Sequence, residues 1–308
     1  MSDGSIVVAR HAGRERGTTA SRTLAWVRTR RGKILLHAIL FAALLIFLLP
    51  IIWTISASFK GKSELFQTLP TLFPVHPVID NYIYVLTRIK RFPIFFANSV
   101  FVTTIGVSLI VLFSSLAGYA FGRIQFRGRD LIYYSLILQI FIPRAGGLMA
   151  LYEVMRFLGL RNNLVGLGLL FAGGVGVPIF IMRQTFFNIP GEFEDAARID
   201  GCNRWQVFWK VIAPMGTSGM ILVAIFAFIA IWGEYLVTLT MIDDNDLSTL
   251  ALGIANLNLS TASWQSDSEV LPYGTQAAAY LLAAAPTLAV FIAVQKWFIR
   301  GMAEGMKF

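Results

Sequence analysis

The residues best suited to chemistry in this chain run from Pro190 to Gly201, Pro-Gly-Glu-Phe-Glu-Asp-Ala-Ala-Arg-Ile-Asp-Gly, followed by Asn203-Arg-Trp-Gln and closed by Pro214. Their chemistry is recognition rather than bond making. Pro190 suits the first turn of a helix, where its missing N–H costs nothing. Glu192, Glu194 and Asp195 then lie at the positive end of the helix dipole. Phe193, Ala196 and Ala197 make a small apolar face at helical spacing, which another backbone can approach closely. Gly201 ends this helix, and Asn203 caps the next with Gln206 three residues on. Trp205, Phe208, Val211 and Ile212 supply its apolar stripe. The plainer reading is a hairpin resting on lipid headgroups, but acidic residues face anionic lipid poorly. A soluble protein partner suits them better.

A second group surrounds Glu234. An ionisable residue inside an apolar run faces a cavity or a partner. Trp232 and Tyr235 beside it can stack on a sugar ring through their broad apolar faces. The competing reading is an interfacial aromatic belt with a buried structural hydrogen bond. Arg144 lies nine residues from the end of its run at 153, roughly 13.5 Å of helix rise at ~1.5 Å per residue. Snorkelling is the plainer reading; the alternatives are contact with a polar or anionic cargo group, or a pair with Glu234.

No Ser/His/Asp set and no pair of carboxylates stands out as catalytic. Gly61-Lys62-Ser63 imitates the end of a phosphate-binding loop, but Ser56 stands where the first glycine is needed. One cysteine, Cys202, and three histidines argue against a disulfide framework or a metal centre.

The elements that must position these residues are apolar and long. Of 308 residues 56% are hydrophobic and 14% charged, against about 25% charged in soluble domains. A bilayer crossing needs ~20 apolar residues, and six runs meet that: 34–57, 94–120, 131–153, 163–184, 217–241 and 277–299. The first is too long for a signal-peptide core, and strand-type alternation is absent. The net charge of +9 follows from where the charges lie, not from nucleic-acid binding. Arg28, Arg30, Arg31 and Lys33 precede the first run. The segment 242–276 has no Lys or Arg but carries Asp243, Asp244, Asp246, Asp267 and Glu269. The positive-inside bias therefore predicts both termini in the cytoplasm. The loop 58–93, with Lys60, Lys62, Arg88, Lys90 and Arg91, departs mildly from that bias; its prolines and aromatics predict short helical pieces. The run 163–184 carries several glycines and Pro178, the run 131–153 is interrupted at Pro143-Arg-Ala-Gly-Gly147, and the last contains Pro286. Bent helices of this kind favour a transporter over an anchor.

The segment 190–214 resembles the EAA loop of ABC-importer permeases, whose pattern is E-A-A, three residues, G, nine residues, I-x-L-P. Here it reads Asp195-Ala196-Ala197, Gly201, then Val211-Ile212-Ala213-Pro214, with the spacing kept and Asp, Val and Ala departing from the pattern. Glu194 is an alternative source of the acid. Ile199-Asp200-Gly201, Asp80-Asn81-Tyr82, Phe96-Ala-Asn98-Ser99, Trp232-Gly-Glu-Tyr235 and the terminal Arg300–Lys307 are similar to the carbohydrate-importing branch. In many relatives an Asn stands where this chain has Gly233.

The resemblance implies an all-α membrane protein with the type I ABC-importer permease fold, six transmembrane helices and both termini cytoplasmic. Its parts would be a basic segment 1–33, a first helix 34–57, an external loop 58–93, a core 94–299 with the coupling hairpin 190–214, and a tail 300–308. It implies partners: a second homologous permease, an ATPase dimer that holds the ATP and Mg, and an extracytoplasmic substrate-binding protein, in a bacterial or archaeal plasma membrane. Glu194, Asp195, Ala196, Ala197, Asp200, Gly201 and Pro214 would couple to the ATPase, with help from the tail. Arg144, Trp232, Glu234 and Tyr235 would line the substrate path. In the branch's maltose system the last external loop reaches the binding protein, which makes Asn256, Asn258 and Trp264 candidates for that contact. No cofactor is expected on this chain, and the expected cargo is a sugar or oligosaccharide. Another solute, such as a polyamine or glycerol phosphate, is the first alternative. An ion-coupled carrier would need an inverted repeat and several intramembrane carboxylates, and Glu234 is the clearest lone candidate. A membrane scaffold would leave the bent helices unexplained.

Overall fold

The computed structural model describes residues 30–65, 71–142, 144–260 and 272–305. These fall into two units, one ending at Thr54 and the other beginning at Ile55. The first unit is carried by helix α1 (Arg30–Ser58), which continues into the second. Ile34, Phe41, Ile46 and Phe47 are all exposed along it, the pattern of a helix whose solvent is lipid. Pro50 sits inside α1, and its carbonyl accepts from Thr54 Oγ1 at 2.8 Å.

In the second unit the elements are α2 (Lys62–Leu65), α3 (Asp80–Thr87), α4 (Phe92–Arg123), α5 (Arg129–Leu138), α6 (Leu148–Phe157), α7 (Leu164–Ala172) and α8 (Gly176–Phe187). Then come α9 (Glu192–Ile199), α10 (Arg204–Val207), α11 (Ala213–Met215), α12 (Thr217–Trp232), α13 (Leu236–Met241), α14 (Leu250–Ser260) and α15 (Pro272–Gly305). No strand occurs among the described residues.

Three stretches are long and apolar enough to cross a membrane singly: Gly32–Ser58, Phe92–Arg123 and Tyr273–Gln295. Two more qualify only as bent pairs. α7 and α8 meet at 52°, and the Arg204–Met215 and Thr217–Trp232 helices meet at 75°. The run 163–184 is thus two helices broken after Ala172, where Gly173 and Gly174 stand. The run 217–241 ends at Trp232 and restarts at Leu236. The run 131–153 is interrupted around Pro143, as expected, and the break is wider than the motif alone indicated. α5 stops at Leu138, 3-10 turns cover Gln139–Phe141 and Arg144–Gly147, and α6 follows. The physical reason is local: Ile142 is extended, at φ −90° and ψ 113°, as the residue before a proline prefers. The loop 58–93 holds short helices as expected, and the segment 242–276 also contains α14.

α4 is the axis of the second unit. It packs on α7, α8 and α12, around a core that includes Val102, Leu167, Met182, Phe186 and Val223. The α4–α8 approach depends on Gly118. A Cβ there would lie 2.6 Å from Met182 Cβ and 2.8 Å from the Arg183 nitrogen, closer than any side chain permits. At the Phe92 end of α4, Asn98 Nδ2 donates to the carbonyls of Asp246 (2.8 Å) and Ser248 (2.9 Å), and Leu250 N–H donates to Ser99 Oγ at 2.7 Å. Asn81 in α3 does the same for the chain after α1. Its Nδ2 donates to the Ser58 and Lys60 carbonyls at 2.9 and 3.0 Å, while its Oδ1 accepts from Thr275 of α15. Lys60 is only 2% exposed and donates to the Thr71 carbonyl.

Candidate functional site

The hairpin between α8 and α12 forms through contacts close in sequence. α9 starts at Glu192, so Pro190 precedes the first turn instead of entering it, and the Gly191 carbonyl accepts from Glu194 and Asp195 N–H at 2.9 and 3.1 Å. Glu192, Glu194 and Asp195 occupy the first turn, where carboxylates oppose the helix dipole. At the other end Gly201 takes φ +81°. Cys202 N–H returns to the Ala197 carbonyl and Gly201 N–H to that of Arg198, each at 3.0 Å. This is a Schellman closure, and its left-handed residue favours glycine. Asn203 and Gln206 form the expected reciprocal cap, with bonds of 2.8 and 2.9 Å. From Phe208 to Ile212 the backbone widens into π-helical turns ahead of Pro214, whose ring supplies no N–H.

The hairpin has two faces. Inside are Glu194, Ala197, Val207, Phe208 and Ile212. The Phe208 ring lies 5.2 Å from Tyr119 of α4 and 6.1 Å from Phe186 of α8. Outside are Asp195, Ala196, Asp200 and Gly201, with Ile199 at 86% and Trp205 at 64% exposure. Phe193 is half exposed. Trp205 therefore leaves the apolar stripe expected of it, and Val207 takes the inward place. The reason lies in register: the cap fixes Trp205 in the first turn of α10, and the π turns that follow bring Ile212 inward five residues after Val207, with Phe208 beside them.

Glu194 and Asp195, adjacent in the motif, do different work. Asp195 is exposed and meets only Arg198 Nη1 at 3.7 Å among the described ion pairs. Glu194 is 5% exposed. Its Oε2 lies 3.4 Å from Arg198 Nη2, and its Oε1 lies 3.4 Å from Nε of Arg123, the last residue of α4. No described donor makes a hydrogen bond to Oε1; the Arg123 guanidinium is the charge that faces it. Arg123 also donates from Nε to the Phe186 carbonyl at 2.9 Å and from Nη2 to the Ile189 carbonyl. The Phe186 carbonyl also accepts from Ile189 N–H at 3.2 Å, so Arg123 ties α4 to the end of α8 and to the residue that follows it. Sequence reading passed over Arg123 because a cationic residue ending an apolar run reads simply as a cytoplasmic flank.

The residues expected along a substrate path are only partly together. Trp232 is 8% exposed. Its Nε1–H donates to the Ala283 carbonyl at 2.9 Å, and its ring stacks on Phe228 with centroids 5.4 Å apart. Glu234 is partly buried; its Oε1 accepts from Val237 N–H at 3.1 Å and so caps α13. Tyr235 packs against the main core. Arg144 opens a 3-10 turn, and its side chain lies outside the described residues. Trp232 also borders an apolar cavity of about 340 Å³ between α4, α12 and α15, with Thr103, Thr104 and Ser108 on its wall. Of the residues proposed to meet a binding protein, Asn256 is partly buried in α14. The side chain of Asn258 and all of Trp264 lie outside the described residues, as does the end of the tail.

The family model described as binding-protein-dependent transport system inner membrane component matches residues 17–304. The arabinooligosaccharides transport system permease protein AraQ of Halalkalibacterium halodurans is 30% identical over 83% of this chain and 89% of its own length. The maltose/maltodextrin transport system permease protein MalG of Vibrio parahaemolyticus is 31% identical over 87% of this chain and 93% of its own. Among solved structures, a chain of a bacterial ABC transporter involved in the import of the acidic polysaccharide alginate aligns with a TM-score of 0.78. It is 26% identical and covers 88% of this chain and 98% of that one.

Proposed function

The chain belongs to the family of binding-protein-dependent transport system inner membrane components, and on that premise we propose that it forms, with a second homologous permease, the path of an importer for a sugar or oligosaccharide. It is the permease subunit of such a system. A separate ATPase dimer binds ATP and Mg and supplies the work, and an extracytoplasmic binding protein delivers the cargo. The transport functions of AraQ and MalG support the carbohydrate class. The chain crosses the plasma membrane six times, with both termini and the 190–214 hairpin in the cytoplasm. The broken segment 131–153 makes one of those crossings in two pieces.

One observation carries the coupling role. The hairpin exposes Ile199, Trp205 and part of Phe193 beside Asp195 and Asp200, while Glu194 and Phe208 anchor it inward. An apolar, acid-rimmed knob on a braced base suits a cleft in a soluble partner. Asp195, Ala196, Ala197, Asp200, Gly201 and Pro214 shape that knob. Trp232, Glu234 and Tyr235 bear on the cargo path mainly by holding the α12–α13 break, with Arg144 on the facing segment. Asn256, Asn258 and Trp264 belong to the segment 242–276, which meets the binding protein.

Gentle affinity purification of the tagged chain from its native membrane, with mass spectrometry of proteins and retained ligand, tests this reading. Recovery of an ATPase, a second permease and a carbohydrate-loaded binding protein is expected. Repeated recovery of the chain alone, under detergent conditions that preserve known complexes, overturns it.

A further inference from the structure

Arg123 is the point where three elements converge. It ends α4, its guanidinium binds the carbonyls of Phe186 in α8 and Ile189 after it, and the same group faces the buried carboxylate of α9. Among the described residues this is the ion pair that joins the hairpin to a spanning helix; Arg198 pairs only within α9. Both side chains are largely withdrawn from solvent, Arg123 at 16% and Glu194 at 7% exposure. A charge contact there is screened far less than one at the surface. An Arg fork also resists reorientation, because its donors are fixed in one plane. The helices it joins have no slack: Gly118 brings α4 against the backbone of α8.

We propose that Arg123 is a positioning residue that pins the hairpin to α4 through Glu194, so that a displacement of α9 reaches the spanning helix as one rigid movement. The inference rests on the coupling role given to the hairpin above. It separates the roles of the adjacent acids, with Asp195 facing outward and Glu194 tying the hairpin to the membrane.

The test uses the chain purified with its partner subunits in lipid nanodiscs. Replacing the single cysteine, Cys202→Ser, allows unique spin labels at Glu192→Cys on α9 and Ser108→Cys on α4. Mg-ATP with vanadate is the probe. In the parent complex the distance between the labels changes by no more than about 2 Å on trapping, the scale of a shift between packed helices. Glu194→Gln leaves the Arg123 bonds to the Phe186 and Ile189 carbonyls in place, and Arg123→Gln removes the charge contact with them. In each variant the distance moves beyond that margin once the complex is trapped, and the double variant moves no further than the larger single one. Should Arg123→Gln fail to assemble, Glu194→Gln decides. A parent distance that already shifts, or a Glu194→Gln distance that stays fixed, overturns the pin alone. Recovery of the parent without an ATPase overturns the functional reading instead, and the pin falls with it.

Discussion

The two ends of α4 use polar side chains for opposite purposes. At the Phe92 end, Asn98 and Ser99 bind the backbone of the 246–250 segment, while Asn81 clasps Ser58, Lys60 and Thr275. Asn162 adds a further clasp: it sits at φ 51°, and its Oδ1 accepts from the N–H groups of Asp243 and Asp244. The grip there is on loops, and it holds them down. At the Arg123 end, the grip is on a helix that turns an apolar face outward. Amides that satisfy loop backbone cannot slide without stranding a buried carbonyl. On the proposed reading, a charge pair beneath an exposed knob passes a pull on the knob inward. In the proposed mechanism one end acts as a lid and the other as a handle.

The contrast can be broken by substitution. The largest effect is expected from Phe208→Ala, which empties the ring contacts with Tyr119 and Phe186 and costs about 3–5 kcal/mol. Unfolding of the purified protein in mixed micelles measures it, and a loss below about 1 kcal/mol shows that the handle is not braced by this ring. Asn98→Ala strands the Asp246 and Ser248 carbonyls, for about 1–3 kcal/mol. Hydrogen exchange should quicken in the 243–250 segment and leave the hairpin unchanged. If both ends loosen together, the two regions are one cooperative unit and the comparison fails.

A pH effect separates the ends further. Burial by itself raises the Glu64 carboxyl pKa. The Val75 N–H, the Thr71 hydroxyl, the His76 backbone and the Lys60 charge outweigh it, so the net value lies below the usual carboxylate range. The sign follows from linkage: a depressed folded pKa adds stability that is complete above the unfolded value of ~4.3 and is lost as pH falls through the folded value. Acidification below ~4 should therefore loosen the 71–78 segment, read as faster Val75 amide exchange after correction for intrinsic rates. Glu64→Gln should flatten that dependence; an unchanged profile would remove Glu64 from the lid. Smaller again is Asn203→Ala, which removes one half of the cap and costs about 1 kcal/mol, measured by exchange at Gln206. The least stability change belongs to Trp205→Ala, within about 0.5 kcal/mol, yet it should weaken copurification with the ATPase. A Trp205→Ala complex of full yield shows that this ring is not part of the handle's outer face.

Much of the hairpin was legible because its rules are local. The Asn203–Gln206 cap, the Gly201 closure and the acidic first turn each rest on residues a few positions apart. The apolar runs were legible as well, and α1, α4 and α15 follow them with longer ends than expected. Trp205 was misread because a π turn changes the period on which the stripe was drawn. The interruption of the run 131–153 was legible at Pro143, because the residue before a proline decides continuity; that the break starts after Leu138 and is filled by 3-10 turns was not.

By itself the sequence determined the membrane class, the helical runs and a capped, acid-led hairpin, since these depend on composition and on spacings of three, four or five residues. Only the tertiary structure decided that Glu194 turns inward while Asp195 faces out, that Arg123 holds carbonyls 63 and 66 residues away, and that Asn98 holds one 150 residues away. The physical reason is the same in each case. A buried charge or carbonyl must find a partner wherever packing brings one, and helix packing, not sequence distance, determines which groups meet.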